Sequence, residues 1–457
     1  MRLTLPAFLL ASSLMSPAAQ MPAPGSDNTA KRDRMEQVVA SFVKDNSFMG
    51  TVLVAEGDTV LLSKGYGQAD LEWNLPNVPD AKFRLGSLTK QFTATLILLL
   101  QQDGKLNVTD PVSKYLPDAP KAWEKITLVN LLSHTSGIPN FTNFPEFHAW
   151  SMNPHTPAEE IAFFRDRPLD FEPGSKFTYS NSNYEVLGAV VEKVSGEKYG
   201  DLLRQRIFAP LGMHATGLDA DDLILPKRAR GYSPGASGPV YARSESMTVP
   251  WAAGSLYSTT GDLLLWERGL FGGKVLTPAS LKLMTTPVRE DYGFGLVLHP
   301  VAGAPVITHG GGIEGFNTSL TYVPGKKITV VVLANLNGAA ADQIGEYLTR
   351  VMLGETVVLN SERKELPMTP AELQRFAGSY PVAPSFTLVF TVEGAQLMLQ
   401  PTGQPKLPVF YGGMVNGHPE FFLKAVDAQA EFIPDDSGKI SSLIFHQGGH
   451  DATARRQ

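Results

Sequence analysis

The sequence predicts an α+β domain followed by a small antiparallel β-barrel-like domain, and three observations carry that expectation. Strand text stands near residue 50 and again from residue 305, with helix-and-loop text between. A polar, proline-containing stretch over 354–370 comes next, and beyond it the text is β only. With 457 residues the chain can build two domains with a sizeable core. The expected division is 1–18 as a signal peptide, 30–353 as the larger domain, 354–370 as a linker and 371–457 as the small β-domain.

In chain order, Arg2, the largely apolar Leu3 to Met15 and Ser16-Pro17-Ala18-Ala19 read as a secretory signal cleaved after Ala18. The apolar stretch is too short to span a bilayer, so the mature protein is expected to be periplasmic or secreted, without a transmembrane segment. Met35, Val38, Val39, Phe42 and Val43 at helical spacing predict a helix over 31–46. Thr51 to Ala55, a Glu56-Gly57-Asp58 turn and Thr59 to Leu62 predict a hairpin. Phe92, Leu96, Leu99 and Leu100 place a buried amphipathic helix after Ser87, stopped near Gly104. Strands are expected over Pro305 to His309, Asn317 to Val323 and Ile328 to Leu333, then a closing helix over 339–353. Six short β runs are expected in the small domain: Phe386 to Phe390, Gln396 to Leu399, Val409 to Tyr411, Glu420 to Leu423, Glu431 to Ile433 and Leu443 to Phe445.

A net charge of -6 with no Lys/Arg cluster argues against a nucleic-acid partner. With no cysteine, disulfides and thiol catalysis are excluded. The histidines outside the motifs below lack metal-ligand spacing, and no glycine-rich phosphate loop follows a strand, so neither metal nor cofactor is expected.

Chemistry is carried by three short motifs. Ser87-Leu88-Thr89-Lys90 puts a lysine one helical turn after a serine, where it can serve as the base that a serine alcohol needs. The same S-x-x-K spacing occurs at Ser41, Ser195 and Ser361, but only Ser87 follows an extended approach and opens a long apolar helix. Tyr179-Ser180-Asn181 is the one Y-x-N; Tyr179 can shuttle a proton, and Asn181 can bind a substrate amide and hold Lys90. A competing reading has Asn181 merely start the next helix. His309-Gly310-Gly311-Gly312 ends a strand, where glycines admit a substrate backbone and a free N–H can face an oxyanion. An H-G-G-G loop also serves α/β-hydrolases, but there it precedes the nucleophile, and here it comes last.

In this order the motifs resemble those of the serine β-lactamase and penicillin-binding-protein superfamily: S-x-x-K, then Y-x-N, then K/H-x-G. The text is most similar to the class C β-lactamase-like branch, with its D-alanyl carboxypeptidases, D-aminopeptidases and esterases. Leu131 to Gly137 and Phe171 to Gly174 also look like family segments, and His134 is expected to be structural. The resemblance implies a β-lactamase/transpeptidase-like domain, an antiparallel sheet flanked by helices with a helical insertion, and a lipocalin-like C-terminal domain. It also implies a serine hydrolase acting through an acyl-enzyme on D-amino-acid peptides or small esters. Ser87, Lys90 and Tyr179 would be catalytic; Asn181, His309, Gly310, Gly311 and Gly312 would bind substrate, with N–H groups of Ser87 and Gly312 as the oxyanion hole. Histidine stands at 309 where many β-lactamases carry lysine, which disfavours substrates held by a carboxylate. The alternatives are a β-lactamase, or a non-catalytic sensor of peptidoglycan fragments or β-lactams.

Overall fold

The computed structural model describes residues 26–457, apart from 425, 427, 448 and 449. The expected signal peptide lies outside the described residues. Helix α1, Ser26–Lys44, leads into a hairpin of β1, Gly50–Glu56, and β2, Thr59–Tyr66. A long helix-rich insertion follows, in which α2, Thr89–Gln102, and α3, Asn181–Ser195, carry the site. Strands return as β3, Val297–Val301, β4, Ala304–Ile313, β5, Phe316–Val323, and β6, Ile328–Ala334. Helix α4, Ala340–Leu353, completes this part of the chain.

The six strands form one antiparallel sheet in the order β3-β4-β5-β6-β1-β2, so the first hairpin docks on the last strand, with Gly50 opposite Ala334. Both faces of the sheet are buried. Side chains alternate across a strand, and β6 sends Val330 and Val332 to one core and Val331 and Leu333 to the other. That two-sided burial explains why Ile328 to Leu333 is apolar without a break. Helices α1 and α4 cover one face through Val38, Val39, Ile344 and Leu348, while the helical insertion covers the other.

Helix α2 differs from its expected amphipathic form: it is buried on every side from Thr89 to Leu100. Its polar residues are tolerated because each finds a partner. Thr93 Oγ1 donates to Ala252 O at 2.6 Å, and Gln91 Oε1 accepts from Trp266 Nε1 at 3.0 Å.

Segment 354–370 is more than a solvated tether. Val357 and Leu359 are buried in the α1 and α4 core, and Arg34 of α1 donates to Glu362 Oε1 and Val357 O, both at 2.5 Å.

The small domain has eight strands rather than six, each paired antiparallel with the next: β7, Gly378–Ala383; β8, Phe386–Glu393; β9, Gln396–Pro401; β10, Leu407–Val415; β11, His418–Leu423; β12, Ala428–Pro434; β13, Ile440–Gln447; β14, His450–Arg455. The sequence reading missed the first and the last. Pro381 hid β7, although a proline is compatible with a terminal strand. In β14 only Ala454 enters the core, so the run carries no apolar alternation. The two strands approach each other, Gln457 N–H donating to Ser379 O at 2.9 Å, and the sheet becomes a nearly closed barrel filled by Leu388, Phe390, Leu399, Phe421 and Phe432.

Candidate active site

Ser87 lies in a single 3₁₀ turn, Gly86–Leu88, that runs directly into α2. The turn needs glycine at 86: its φ is +56°, and a Cβ there would stand 2.9 Å from Gly312 N. The Ser87 hydroxyl is half-buried, with Lys90 Nζ at 2.9 Å and the Tyr179 hydroxyl at 2.8 Å.

Lys90 is fully buried, and its amine also donates to Asn181 Oδ1 at 2.8 Å and to Ala253 O at 2.9 Å. Those two oxygens can only accept. A neutral amine therefore commits both N–H groups to them and turns its lone pair toward the serine O–H. Burial brings the ammonium down to a pKa of about 7, against an opposing pull from Glu185. The neutral form is accessible near neutrality.

Tyr179 donates to the same serine oxygen; with Lys90 neutral the chain runs Tyr179 to Ser87 to Lys90, and with Lys90 charged the serine oxygen accepts from both. Burial raises the phenol well above its ordinary pKa, so it stays protonated and can act as an acid. Asn181 is the first residue of α3 and also holds Lys90, so the two readings of Y-x-N coexist. Its Nδ2 faces Asn140 Oδ1 at 3.3 Å, which keeps Oδ1 toward the lysine.

The third motif lies on β4 beside the Ser87 turn. Thr318 of β5 donates to Leu85 O at 2.7 Å, and a Cβ on Gly311 would fall 2.0 Å from that same oxygen. Gly311→Ala should force the strand away from Ser87. We expect a loss of about 1–3 kcal/mol in stability and roughly 10²-fold in kcat/KM from the misplaced turn. At Gly312 the nearest atom to an added Cβ is 3.4 Å away, so Gly312→Ala should cost far less stability. Chemical denaturation of the two variants side by side checks the contrast.

A cavity of about 390 Å³ opens in front of Ser87, lined by Asn181, Gly312, the apolar Phe141, Phe147 and Ile313, and the carboxylates of Glu245 and Glu314, among others. His309, Gly310 and Gly311 are not in its lining, which differs from their expected contact with substrate. The His309 ring is 5% exposed and turned into an aromatic cluster, its Nε2 at 2.9 Å from the Tyr292 hydroxyl. Gly311 packs on Leu85, and Gly310 faces Asp342 of α4. Burial lowers His309 to a pKa of about 4, with the Lys90 charge adding to the effect, so its ring is neutral over the ordinary working range.

His134 is structural: it sits at φ +56°, is wholly buried, and accepts the Ser180 N–H on Nδ1 at 3.2 Å. The other S-x-x-K serines are spent locally or remote from this cavity. Ser41 donates to Val38 O and Ser195 to Val191 O, each at 2.7 Å, and Ser361 lies in the turn Asn360–Glu362. Sequence reasoning missed a G-x-S-x-G string at Gly231 to Gly235. It is no nucleophile elbow, because Ser233 sits on the short hairpin strand Tyr232–Gly235 and bonds Asn337 Oδ1 at 3.0 Å. It also missed Tyr292 and the Ala253 carbonyl, which no motif marks.

A family model described as Beta-lactamase matches residues 35–352. This chain belongs to the β-lactamase family. Among relatives, penicillin-binding protein 4* of Bacillus subtilis is 28% identical over 462 residues, covering 93% of this chain and 99% of its own. The teichoic acid D-alanine hydrolase of Staphylococcus aureus is 27% identical, over 67% of this chain and 75% of its own. The solved D-amino acid amidase of Ochrobactrum anthropi SV3 superposes with a TM-score of 0.62 at 27% identity, covering 72% of this chain and 98% of the amidase. Like these family members, the protein is a serine hydrolase of the acyl-enzyme type; its β-lactamase-like domain is followed by the barrel. Among the described residues, no helix is long and apolar enough to cross a membrane, and no group of three or more acidic, histidine or cysteine residues could hold a metal ion.

Proposed function

We propose that this β-lactamase-family enzyme hydrolyses esters or amides of D-amino acids that carry a free amine, with Ser87 as nucleophile. The observation that carries the substrate class is the charge of the Ser87 cavity: Glu245 and Glu314 line it, and no lysine or arginine does. A carboxylate-bearing β-lactam or a terminal D-alanine would find no cation to pair with in that lining, whereas an ammonium would find two acidic residues. Burial and the Glu314 charge raise Glu245 to about 7, against a smaller pull from Arg84, so an incoming ammonium would also keep it ionised. The similarity to a teichoic acid D-alanine hydrolase and a D-amino acid amidase supports the same class.

In this reading Lys90 takes the Ser87 proton as Oγ attacks the acyl carbon. The tetrahedral oxyanion rests on the N–H groups of Ser87 and Gly312. Tyr179 gives its proton to the departing oxygen or nitrogen, and Lys90 restores it. Water then attacks the acyl-enzyme and loses a proton to the Lys90 and Tyr179 pair, which passes it on to Ser87 Oγ as the acyl–oxygen bond breaks. Asn181 positions the lysine. The apolar wall of Phe141, Phe147 and Ile313 would take the amino-acid side chain.

A substrate panel tests the proposal: D-phenylalanine amide and a D-alanyl ester, the same compounds N-acetylated, and a chromogenic cephalosporin. The free-amine compounds should lead their acetylated partners at least ~10-fold in kcat/KM, a discrimination of about 1.4 kcal/mol. Faster turnover of the cephalosporin would overturn the reading and favour a β-lactamase. The enzyme is further inferred to be exported, supported by the apolar segment before Ala18. Its mature chain would begin at Ala19, which N-terminal sequencing of secreted or periplasmic protein checks.

A further inference from the structure

Tyr292 takes no part in the chemistry above, yet it stands where all three motifs meet. Its side chain is 4% exposed, and its hydroxyl lies 3.2 Å from His134 Nε2 and 2.9 Å from His309 Nε2. Both imidazoles are buried as well. Three residues along, Gly295 adopts φ +69° and passes so close to α2 that a Cβ would stand 2.8 Å from Lys90 O.

The ends of this hydrogen-bonded chain fix its direction. At one end the Ser180 N–H, which can only donate, points at His134 Nδ1 at 3.2 Å, and Asn183 Nδ2 lies 3.2 Å from the same nitrogen. His134 Nδ1 is therefore the lone-pair nitrogen, and the ring proton sits on Nε2 and is given to the Tyr292 oxygen. At the other end the Gly310 carbonyl, which can only accept, lies 2.5 Å from His309 Nδ1. His309 must carry its proton on Nδ1, which leaves Nε2 to accept the Tyr292 O–H. Tyr184 flanks the chain and its hydroxyl also contacts that of Tyr292, but its one proton goes to Leu132 O at 2.8 Å, so toward Tyr292 it can only accept. Every polar atom along Ser180, His134, Tyr292, His309 and Gly310 is satisfied in this one arrangement, with both rings neutral.

The two ends of the chain touch the proposed machinery. Ser180 adjoins Tyr179, whose ring packs on His134 with centroids 4.3 Å apart. Gly310 lies two residues before Gly312 on β4. We propose that Tyr292 is a positioning residue for the hydrolytic reaction. By a hydrogen-bond chain of fixed polarity it registers the Tyr179 segment against the strand that carries the oxyanion donor. Histidine at 309 is then explained by its two ring nitrogens, one accepting from Tyr292 and the other donating to Gly310. The positioning role rests on the acyl-enzyme reading; the polarity of the chain does not.

The test pairs a spectroscopic readout with kinetics on the full-length protein. In ¹⁵N-histidine-labelled wild type, long-range ¹H–¹⁵N spectra should show His134 protonated on Nε2 and His309 on Nδ1, the rarer neutral tautomer. Neither should titrate between pH 5.5 and 8.5. Tyr292→Phe removes one oxygen and should lower kcat roughly 10–100-fold, as for a misplaced proton donor, while KM stays within about 2-fold. The His309 tautomer should shift or become mixed in that variant. A wild-type His309 protonated on Nε2 would overturn the chain, whether or not the variant folds. A folded Tyr292→Phe enzyme with wild-type kcat would overturn the positioning role. Failure of the acyl-enzyme reading is distinguishable, because it would show as no covalent labelling of Ser87 while the histidine tautomers remain as stated.

Discussion

Ser87→Ala is expected to lower kcat by about 10⁶-fold on every ester and amide the enzyme accepts, the loss typical of removing a catalytic serine. The expectation follows from the contacts of one oxygen. Ser87 Oγ receives a hydrogen bond from Tyr179 and lies 2.9 Å from Lys90 Nζ, so once the amine is neutral the alcohol is aligned for deprotonation before substrate arrives. Alanine leaves the turn, the cavity and the Lys90 contacts to Asn181 and Ala253 in place. Stability should therefore change little, and the loss should appear in kcat rather than in folding. A fluorophosphonate should add a single mass to the wild type, located at Ser87 by peptide mapping, and nothing to Ser87→Ala. A label on Ser41, Ser195 or Ser361 would contradict the assignment, since none of these serines has a bonded lysine amine.

The second large effect concerns the base. Only unprotonated Lys90 can take the serine proton, so kcat/KM for a neutral ester should fall as pH drops through about 7. Burial, the leading cause, sets that limb; Glu185 moderates it by favouring the charged form. Lys90→Arg keeps a cation at the site but cannot release its proton in the accessible range. The variant should lose about 10²–10⁴-fold in rate and recover nothing as the pH is raised to 10. A pH profile identical to wild type would remove Lys90 from the role of base. The same depression has a stability sign. The unfolded chain binds the Lys90 proton more tightly than the folded one, so stability should rise with pH from about 7 toward the ordinary lysine value of 10.5.

Much of the candidate site was readable because its parts are local. A serine and a lysine one helical turn apart must share a helix face, and a tyrosine two residues before an asparagine on an irregular segment can aim both into one cleft. The hairpin, the buried strand Ile328–Ala334 and the closing helix were readable for the same reason. What escaped depends on tertiary packing. Ala253 acts through its carbonyl, which any residue could supply. Tyr292 is one tyrosine of 13 and has no distinguishing neighbour before it. The direction of the His309 ring was hidden because strand alternation says which face a residue takes, not what waits there. The strand Gly378–Ala383 was masked by its proline, and His450–Arg455 has too little apolar text to announce itself.

The pairing of Gly50 with Ala334 has a consequence for how the molecule acquires its shape. The larger domain cannot close its sheet until almost all of its length is available, so its slowest contacts are also its most distant ones, a topology that delays folding. The barrel is the opposite case, each strand finding its partner in the next. During refolding, amide protection should therefore appear in β8 and β9 before β1 and β6. The portion made last would be ordered first, and the Ser87 turn, packed against β4, would be assembled only when the two ends of its domain meet.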